Sequence, residues 1–475
     1  MLFPTVTFAV FFLVVYVANW LTMPRPRAWR WMMLAASAVF YGSWDWRFVA
    51  LLAAAAAANQ FFALRLAATR RPASARGWLA AAVAANLGVL GVFKYYDFFV
   101  ASLDRFLGAF GLGTSLPLLD LAVPVGLSFL VFRMLTYVID VHRGGLAPSP
   151  MLDFAVYVAF FPYLLAGPIA RAADFLPQLR TPRDPRSVDA ARAFRLVVVG
   201  LVKKVLIADY LATHLVNDVF AAPEQYSSWE TLVGIYAYAA QIYCDFSGYT
   251  DIALGVALLL GFVLPENFDA PYTARSVREF WRRWHMTLSS WLRDYLYIPL
   301  GGNRGRPART ARNLMLTMLL AGLWHGAGWT YVLWGGLHGG AMVVEHRRAD
   351  RRRSRGLPEP GSTIGTRVWQ RLLTFHFVAL AWVVFRADSV ASAGAVLGRL
   401  VTGLGSMGDA VTPALAALTA LGIGLQYVPR AAAIRLEAGL SRAGWVVQGL
   451  CLAAALFLID YLGPQGVAEF IYFGF

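Results

Sequence analysis

Residues 313–344 carry no charged side chain, yet they do not read as a plain membrane span. The core of this stretch is LMLTMLLAGLWHGAGWTYVLWGGLHGG, and Gly322, Gly326, Gly328, Gly335, Gly336, Gly339 and Gly340 interrupt it. An uncharged apolar run of this length points to a bilayer. Non-helical backbone at membrane depth is tolerated only inside protein or beside a water-filled cavity. The pattern therefore predicts a membrane protein with an interior, and places His325 at a break on a cavity wall. Ionisable groups there are costly and functional by default. Just upstream runs PYTARSVREFWRRWHMTLSSWLRDYLYIPLGGNRGR. At helical period Trp281, Trp284, His285, Leu288, Trp291, Leu292 and Tyr295 fall on one side, and Arg275, Arg278, Arg282 and Arg293 largely on the other. The spacing predicts one amphipathic helix at the membrane surface, with His285 turned inward.

A chain of 475 residues ordinarily suggests two or three soluble domains. Composition overrides this: 59% of residues are hydrophobic, 15% are charged, and mean hydropathy is +0.55. The expected fold class is all-α, a single polytopic transmembrane helix bundle over residues 1–475 with residues 271–345 as its core. The net charge of +15 is concentrated in a few loops. That fits cytoplasmic loops, anionic lipid and an acidic donor such as a nucleotide-bearing acyl group, not nucleic acid. Cys244 and Cys451 lie in apolar runs and are expected to be free thiols.

The first apolar segment has no basic n-region and no small-residue cleavage site, and reads as a retained helix. Arg25, Arg27, Arg30, Arg65, Arg70, Arg71 and Arg76 mark cytoplasmic loops, so residues 31–64 form two helices turning outside near Trp44. A span over 78–93 leads out and one over 121–139 leads back. Residues 154–169, between basic loops and carrying Pro162, Gly167 and Pro168, are re-entrant. Spans over 197–220 and 231–262 follow, the second with Asp245 and Asp251 in an apolar setting. Short spans flank His325, and three more lie near 374–385, 415–428 and 445–462. The outer stretch between the first two of these is expected to be an interfacial helix. The total is about 12 crossings, with both termini extracytoplasmic.

FWRRWHMTLSSWLRDYLYIPLGGNR followed by LWHGAGWTYVLWGGLHG resembles the membrane-bound O-acyltransferase family. YCDFSGYTDIALG, PENFDAPY and GPIARAADFLPQL resemble its bacterial branch that includes the alginate O-acetylation membrane subunit. The resemblance implies a bundle with a thinned centre and a tunnel, an acyl donor entering from the cytoplasm, and an acceptor on the far side. It puts His325 at the family's catalytic histidine position and His285 at a second one. It implies acetyl-CoA as donor, the bacterial inner membrane as location, and a polysaccharide hydroxyl as acceptor, reached through a partner acetyltransferase. Another acyl group, such as D-alanyl, stays open.

Each assignment has a plainer counterpart. His325 is either a general base, since imidazole titrates near neutrality, or a packing residue bonded to a carbonyl. His285 either orients the chemistry or anchors the Trp-rich helix. Arg278, Arg282, Arg283 and Trp281 meet either donor phosphates or lipid. Asp245 and Asp251 are read as structural, capping or pairing with arginines near the tunnel. His142, His214, His338, His346 and His376 are read as structural or interfacial. No histidine pair has zinc-motif spacing, so no metal is expected. Broken helices and buried carboxylates also describe transporters, but no inverted repeat is present.

The segment 464–475 ends EFIYFGF, although termini are usually frayed and polar. It is either an aromatic belt anchoring the last helix or something more specific. It resembles the C-terminal motif of the small companion peptide in the teichoic acid D-alanylation system. That resemblance implies Tyr472 as an acyl relay.

Overall fold

The computed structural model describes residues 1–113, 116–165, 167–357, 363–405, 408–464 and 470–471. Among them helices are the sole regular structure. In lipid each backbone N–H and C=O must be satisfied internally, and a helix does so within its own segment. The chain divides into two compact units, Met1–Asp189 with Val256–Pro265, and Ala190–Gly255 with Glu266–Phe475.

The first unit holds α1 (Val6–Thr22), α2 (Pro26–Gly42), α3 (Trp46–Ala68), α4 (Pro72–Leu90), α5 (Tyr96–Gly108), α6 (Leu127–His142), α7 (Met151–Ala159), α8 (Phe161–Leu164) and α9 (Ala172–Phe175). The turn expected near Trp44 is there, and Asp45 caps α3 by accepting the Arg47 N–H (2.9 Å). The next span is longer than the 78–93 expected. A π-helical turn, Gly91–Tyr95, carries α4 into α5, so the apolar helix runs Pro72–Gly108. The returning helix starts late, at Leu127, after Pro124 and the left-handed Gly126. The segment expected to re-enter is two short helices kinked at Phe160, with Pro162 in the first turn of α8. Arg133, fully buried on α6, donates to the Leu164 carbonyl (3.0 Å). It thus answers a carbonyl that so short a helix leaves open.

The second unit is built around α12 (Ser228–Leu259), which follows α10 (Ala190–Leu201) and α11 (Asn217–Ala221). The most apolar window of α12 is 89% buried, against 17% for Pro72–Gly108. By that measure α12 is buried along its length, whereas Pro72–Gly108 is largely exposed. Two π-helical stretches, Val202–Asp209 and Ala212–Val216, join α10 to α11. After α12 come α13 (Val277–Arg283), α14 (Met286–Leu292), α15 (Pro307–His325), α16 (Trp329–Ser354), α17 (Ile364–Arg386), α18 (Val390–Thr402), α19 (Pro413–Gly424), α20 (Arg430–Arg442) and α21 (Gly444–Leu462). Among the described residues four helices are long and apolar enough to cross a bilayer: Trp46–Ala68, Pro72–Gly108, Ser228–Leu259 and Ile364–Arg386. Four shorter apolar helices accompany them. α18 matches the helix expected in the outer stretch, whereas α20 has no counterpart in the sequence reading.

Two further expectations change. The Trp-rich helix is not continuous: it breaks at His285, and a π-helical turn, Arg293–Tyr297, ends its second part. Nor do most glycines of 313–344 break the backbone. The break is confined to residues 326–328, and Gly322, Gly335, Gly336, Gly339 and Gly340 are helical. Their role is close approach. A Cβ on Gly322 would overlap the Tyr331 carbonyl, and one on Gly335 the Met318 carbonyl. α15 and α16 thus form a hairpin that touches through bare backbone.

Candidate active site

His325 is the last residue of α15, at the tip of this hairpin, and is 2% exposed. Its ring meets Trp324 (4.9 Å between centroids), Trp334 of α16 (5.2 Å) and Phe385 of α17 (5.4 Å), each edge to face. Trp382 stacks on Trp334 at 5.5 Å and continues the wall. Three helices therefore hold one imidazole through aromatic surfaces, which fix its orientation while adding little competing polarity.

His285 reaches the same cluster from another direction. It is fully buried and lies between α13 and α14 with φ of +43°, a left-handed conformation unusual for a non-glycine residue. Asn267 holds it there. The Asn267 side-chain oxygen accepts from the Thr287 N–H (3.2 Å), the Thr287 hydroxyl (2.8 Å) and His285 Nδ1 (3.1 Å), and its carbonyl accepts the Met286 N–H (2.9 Å). An atom that accepts a backbone N–H is the amide oxygen, so Nδ1 of His285 carries the proton and Nε2 is the basic nitrogen. The His285 ring meets Phe246 at 4.8 Å and Trp324 at 6.0 Å. Trp324 is thus the shared neighbour of both histidines. Asn267 belongs to PENFDAPY, whose polar residue beside an aromatic was the available signal, but periodicity gave it no role.

Phe470 and Ile471 lie against this cluster. Phe470, 1% exposed, packs on Tyr249 (4.6 Å) and Phe246 (5.7 Å), and the Ile471 N–H donates to Asp245 Oδ2 (2.8 Å). Tyr472, the next residue, lies outside the described residues. Asp245 and Asp251 pair with lysines, not with the arginines expected. Lys204 bridges Asp245 (2.8 Å) and Asp209 (2.8 Å), and Lys203 meets Asp251 (2.7 Å). The π-helical stretch explains the Lys204–Asp209 pair, because i→i+5 bonding brings residues five apart onto one face.

Of the residues assigned to the donor, Trp281 is inside the aromatic cluster, donating its indole N–H to His338 Nδ1 (3.2 Å). Arg283 is engaged by Glu279 (3.0 Å) and Asp269 (3.7 Å). Arg278 is half-buried and Arg282 exposed. The α13 N-terminus is capped from α16: Glu345 accepts the Val277 and Arg278 N–H groups (2.7 and 3.1 Å). Burial opposes ionisation of Glu279 on this surface helix, yet the Arg275 N–H and the Arg283 guanidinium hold its carboxyl below the usual range. His214 and His376 donate to the Tyr210 and Leu372 carbonyls of their own helices, and His346 meets Asp350. Among the described residues no three His, Cys, Asp or Glu side chains gather closely enough to hold a metal ion.

The sequence model of the membrane-bound O-acyltransferase family (MBOAT) matches residues 118–355, half of the chain and both histidines. The chain belongs to this family. A probable alginate O-acetylase of Azotobacter vinelandii is 40% identical to it over 86% of this chain and 79% of the relative. Another, of Pseudomonas putida, is 38% identical over 94% of each. A peptidoglycan O-acetyltransferase of Helicobacter pylori is 35% identical over 79% of this chain and 74% of the relative. A membrane-bound O-acyltransferase is an enzyme, so the transporter reading falls. In this O-acyltransferase the fold brings His285, His325 and Phe470 to one aromatic cluster, and leaves Arg282 on the surface.

Proposed function

We propose that this O-acyltransferase takes an acetyl group from cytoplasmic acetyl-CoA and moves it across the inner membrane to O-acetylate an extracytoplasmic polysaccharide. The transfer runs through Tyr472 and a partner acetyltransferase. The seat of Phe470 and Ile471 carries this reading, because it brings the residue just before Tyr472 to the aromatic cluster that holds both histidines. The names of the relatives favour acetyl over D-alanyl, and a glycan acceptor.

In the first half-reaction the Tyr472 oxygen attacks the thioester carbonyl carbon while His325 takes the phenolic proton. The new C–O bond forms, the C–S bond breaks, and the coenzyme leaves as a thiol after recovering that proton. In the second, a hydroxyl of the partner attacks the tyrosyl ester and the phenol is released. A phenol has a pKa of about 10, so phenolate leaves more readily than an alkoxide. His285 shapes the site from the cytoplasmic side. Arg278 and Arg282 meet the donor phosphates, Arg283 being engaged by Glu279 and Asp269. Both termini are extracytoplasmic.

The test is Tyr472→Phe, which keeps the ring and removes the nucleophile. It is expected to be as damaging as His325→Ala, and intact-mass analysis of the wild type with acetyl-CoA is expected to show one acetyl adduct on the C-terminal peptide. Normal acetylation by Tyr472→Phe overturns the relay.

A further inference from the structure

Asp245 has a use that the ion pairs alone do not explain. It is 2% exposed, at the centre of α12, and Lys204 lies between it and Asp209. Asp245 Oδ1 faces Lys204, and the Ile471 N–H satisfies Oδ2 from the C-terminal segment. A buried carboxylate oxygen without a donor is strongly disfavoured, so this position demands a hydrogen-bond donor. Beside it, Tyr249 and Phe246 present ring faces that Phe470 fills. The seat has two contacts, a side chain at 470 and a main-chain N–H at 471.

We propose that Asp245, paired with Lys204, is the docking site for the main chain at Ile471, and hence the positioning residue for Tyr472. Phe470 supplies the apolar half of the same seat. The consequence for turnover rests on the relay proposed above, whereas the docking itself does not.

Hydrogen exchange of the Ile471 amide, read by mass spectrometry on the full-length protein in detergent, tests the docking directly. In the wild type this amide is expected to be protected. Asp245→Ala is expected to speed its exchange at least tenfold while peptides from α15, α16 and α17 keep their protection. Asp245→Asn, which retains an acceptor oxygen, is expected to fall between. Asp251→Asn, in the neighbouring lysine pair, is expected to leave the amide as in the wild type. If Asp245→Ala fails to fold, Phe470→Ala leaves the ion triad intact and must still speed exchange at 471. An unprotected amide in the wild type, or protection surviving both Asp245→Ala and Phe470→Ala, overturns the proposal. Tyr472→Phe separates the two ideas: normal acetylation with Ile471 still protected removes the relay and leaves the docking site. With the relay intact, the Asp245→Ala defect falls on kcat and leaves the KM for acetyl-CoA unchanged.

Discussion

Asn267→Ala tests whether His285 works because of where it is held. The substitution removes one side-chain oxygen that accepts three buried hydrogen bonds: from Thr287 N–H, from Thr287 Oγ and from His285 Nδ1. At about 0.5–1.5 kcal/mol net for each bond, the expected loss is roughly 2–4 kcal/mol of local stability. The left-handed conformation at His285 itself costs on the order of 1–3 kcal/mol, so without its tether the residue is expected to relax towards a helical geometry. A shift of about 1 Å in a catalytic constellation costs on the order of 10²-fold in rate. Asn267→Ala is therefore expected to lower acetyl transfer by about that factor, and His285→Ala by at least as much. Asn267→Asp, which keeps the three acceptor interactions, should restore most of the loss. Acetyl transfer from acetyl-CoA by detergent-purified variants, with thermal unfolding in parallel, measures both quantities. A wild-type rate in Asn267→Ala, or a defect in Asn267→Asp equal to that of Ala, refutes the argument.

His325→Ala is expected to lower transfer by about 10²–10⁴-fold while the protein remains folded, the usual contribution of a general base; unchanged acetylation by a well-expressed variant removes it from the chemistry. Gly335→Ala puts a methyl group into the Met318 carbonyl. It is expected to destabilise by about 1–3 kcal/mol as overpacking does, with activity falling because the hairpin carries His325; an unaltered unfolding temperature contradicts this. Glu279→Gln is expected to destabilise by less than about 1 kcal/mol at neutral pH. The carboxyl of Glu279 is depressed below its ordinary 4.5 in the folded state. Its contribution is thus complete above that value and lost as pH falls through the lowered one, so the gap between variant and wild type should narrow as pH falls below 4.5 and close once the lowered value is passed; a gap that does not narrow sinks the assignment.

The parts of the site legible in sequence are those written in hydropathy. The uncharged run announced a membrane interior, and the histidine within it is buried among aromatic rings. The helix period placed Trp281, Trp284 and His285 on one inward face, and all three are buried. The break at His285 was invisible, because nothing in the pattern marks a left-handed residue when its stabiliser, Asn267, lies eighteen residues upstream. The glycines misled for a related reason. Glycine serves both to break a helix and to let two helices touch, and which applies at Gly322 or Gly335 depends on the facing helix. The lysine partners of Asp245 and Asp251 were hidden because they lie on another helix, in the π-helical stretch Val202–Asp209, far upstream in the chain.

The backbone contact between α15 and α16 acts as a ruler. Side chains that interdigitate can slip by a rotamer, but two main chains touching at Gly322 and Gly335 have a single axial register. Sliding one arm by a residue would drive a Cβ into a carbonyl. His325, less than one turn beyond Gly322, inherits that fixed depth relative to Trp334. When the surrounding bilayer thickens or thins, the hairpin has to tilt or shift as one piece, and the spacing between the histidine and its aromatic wall does not follow the lipid.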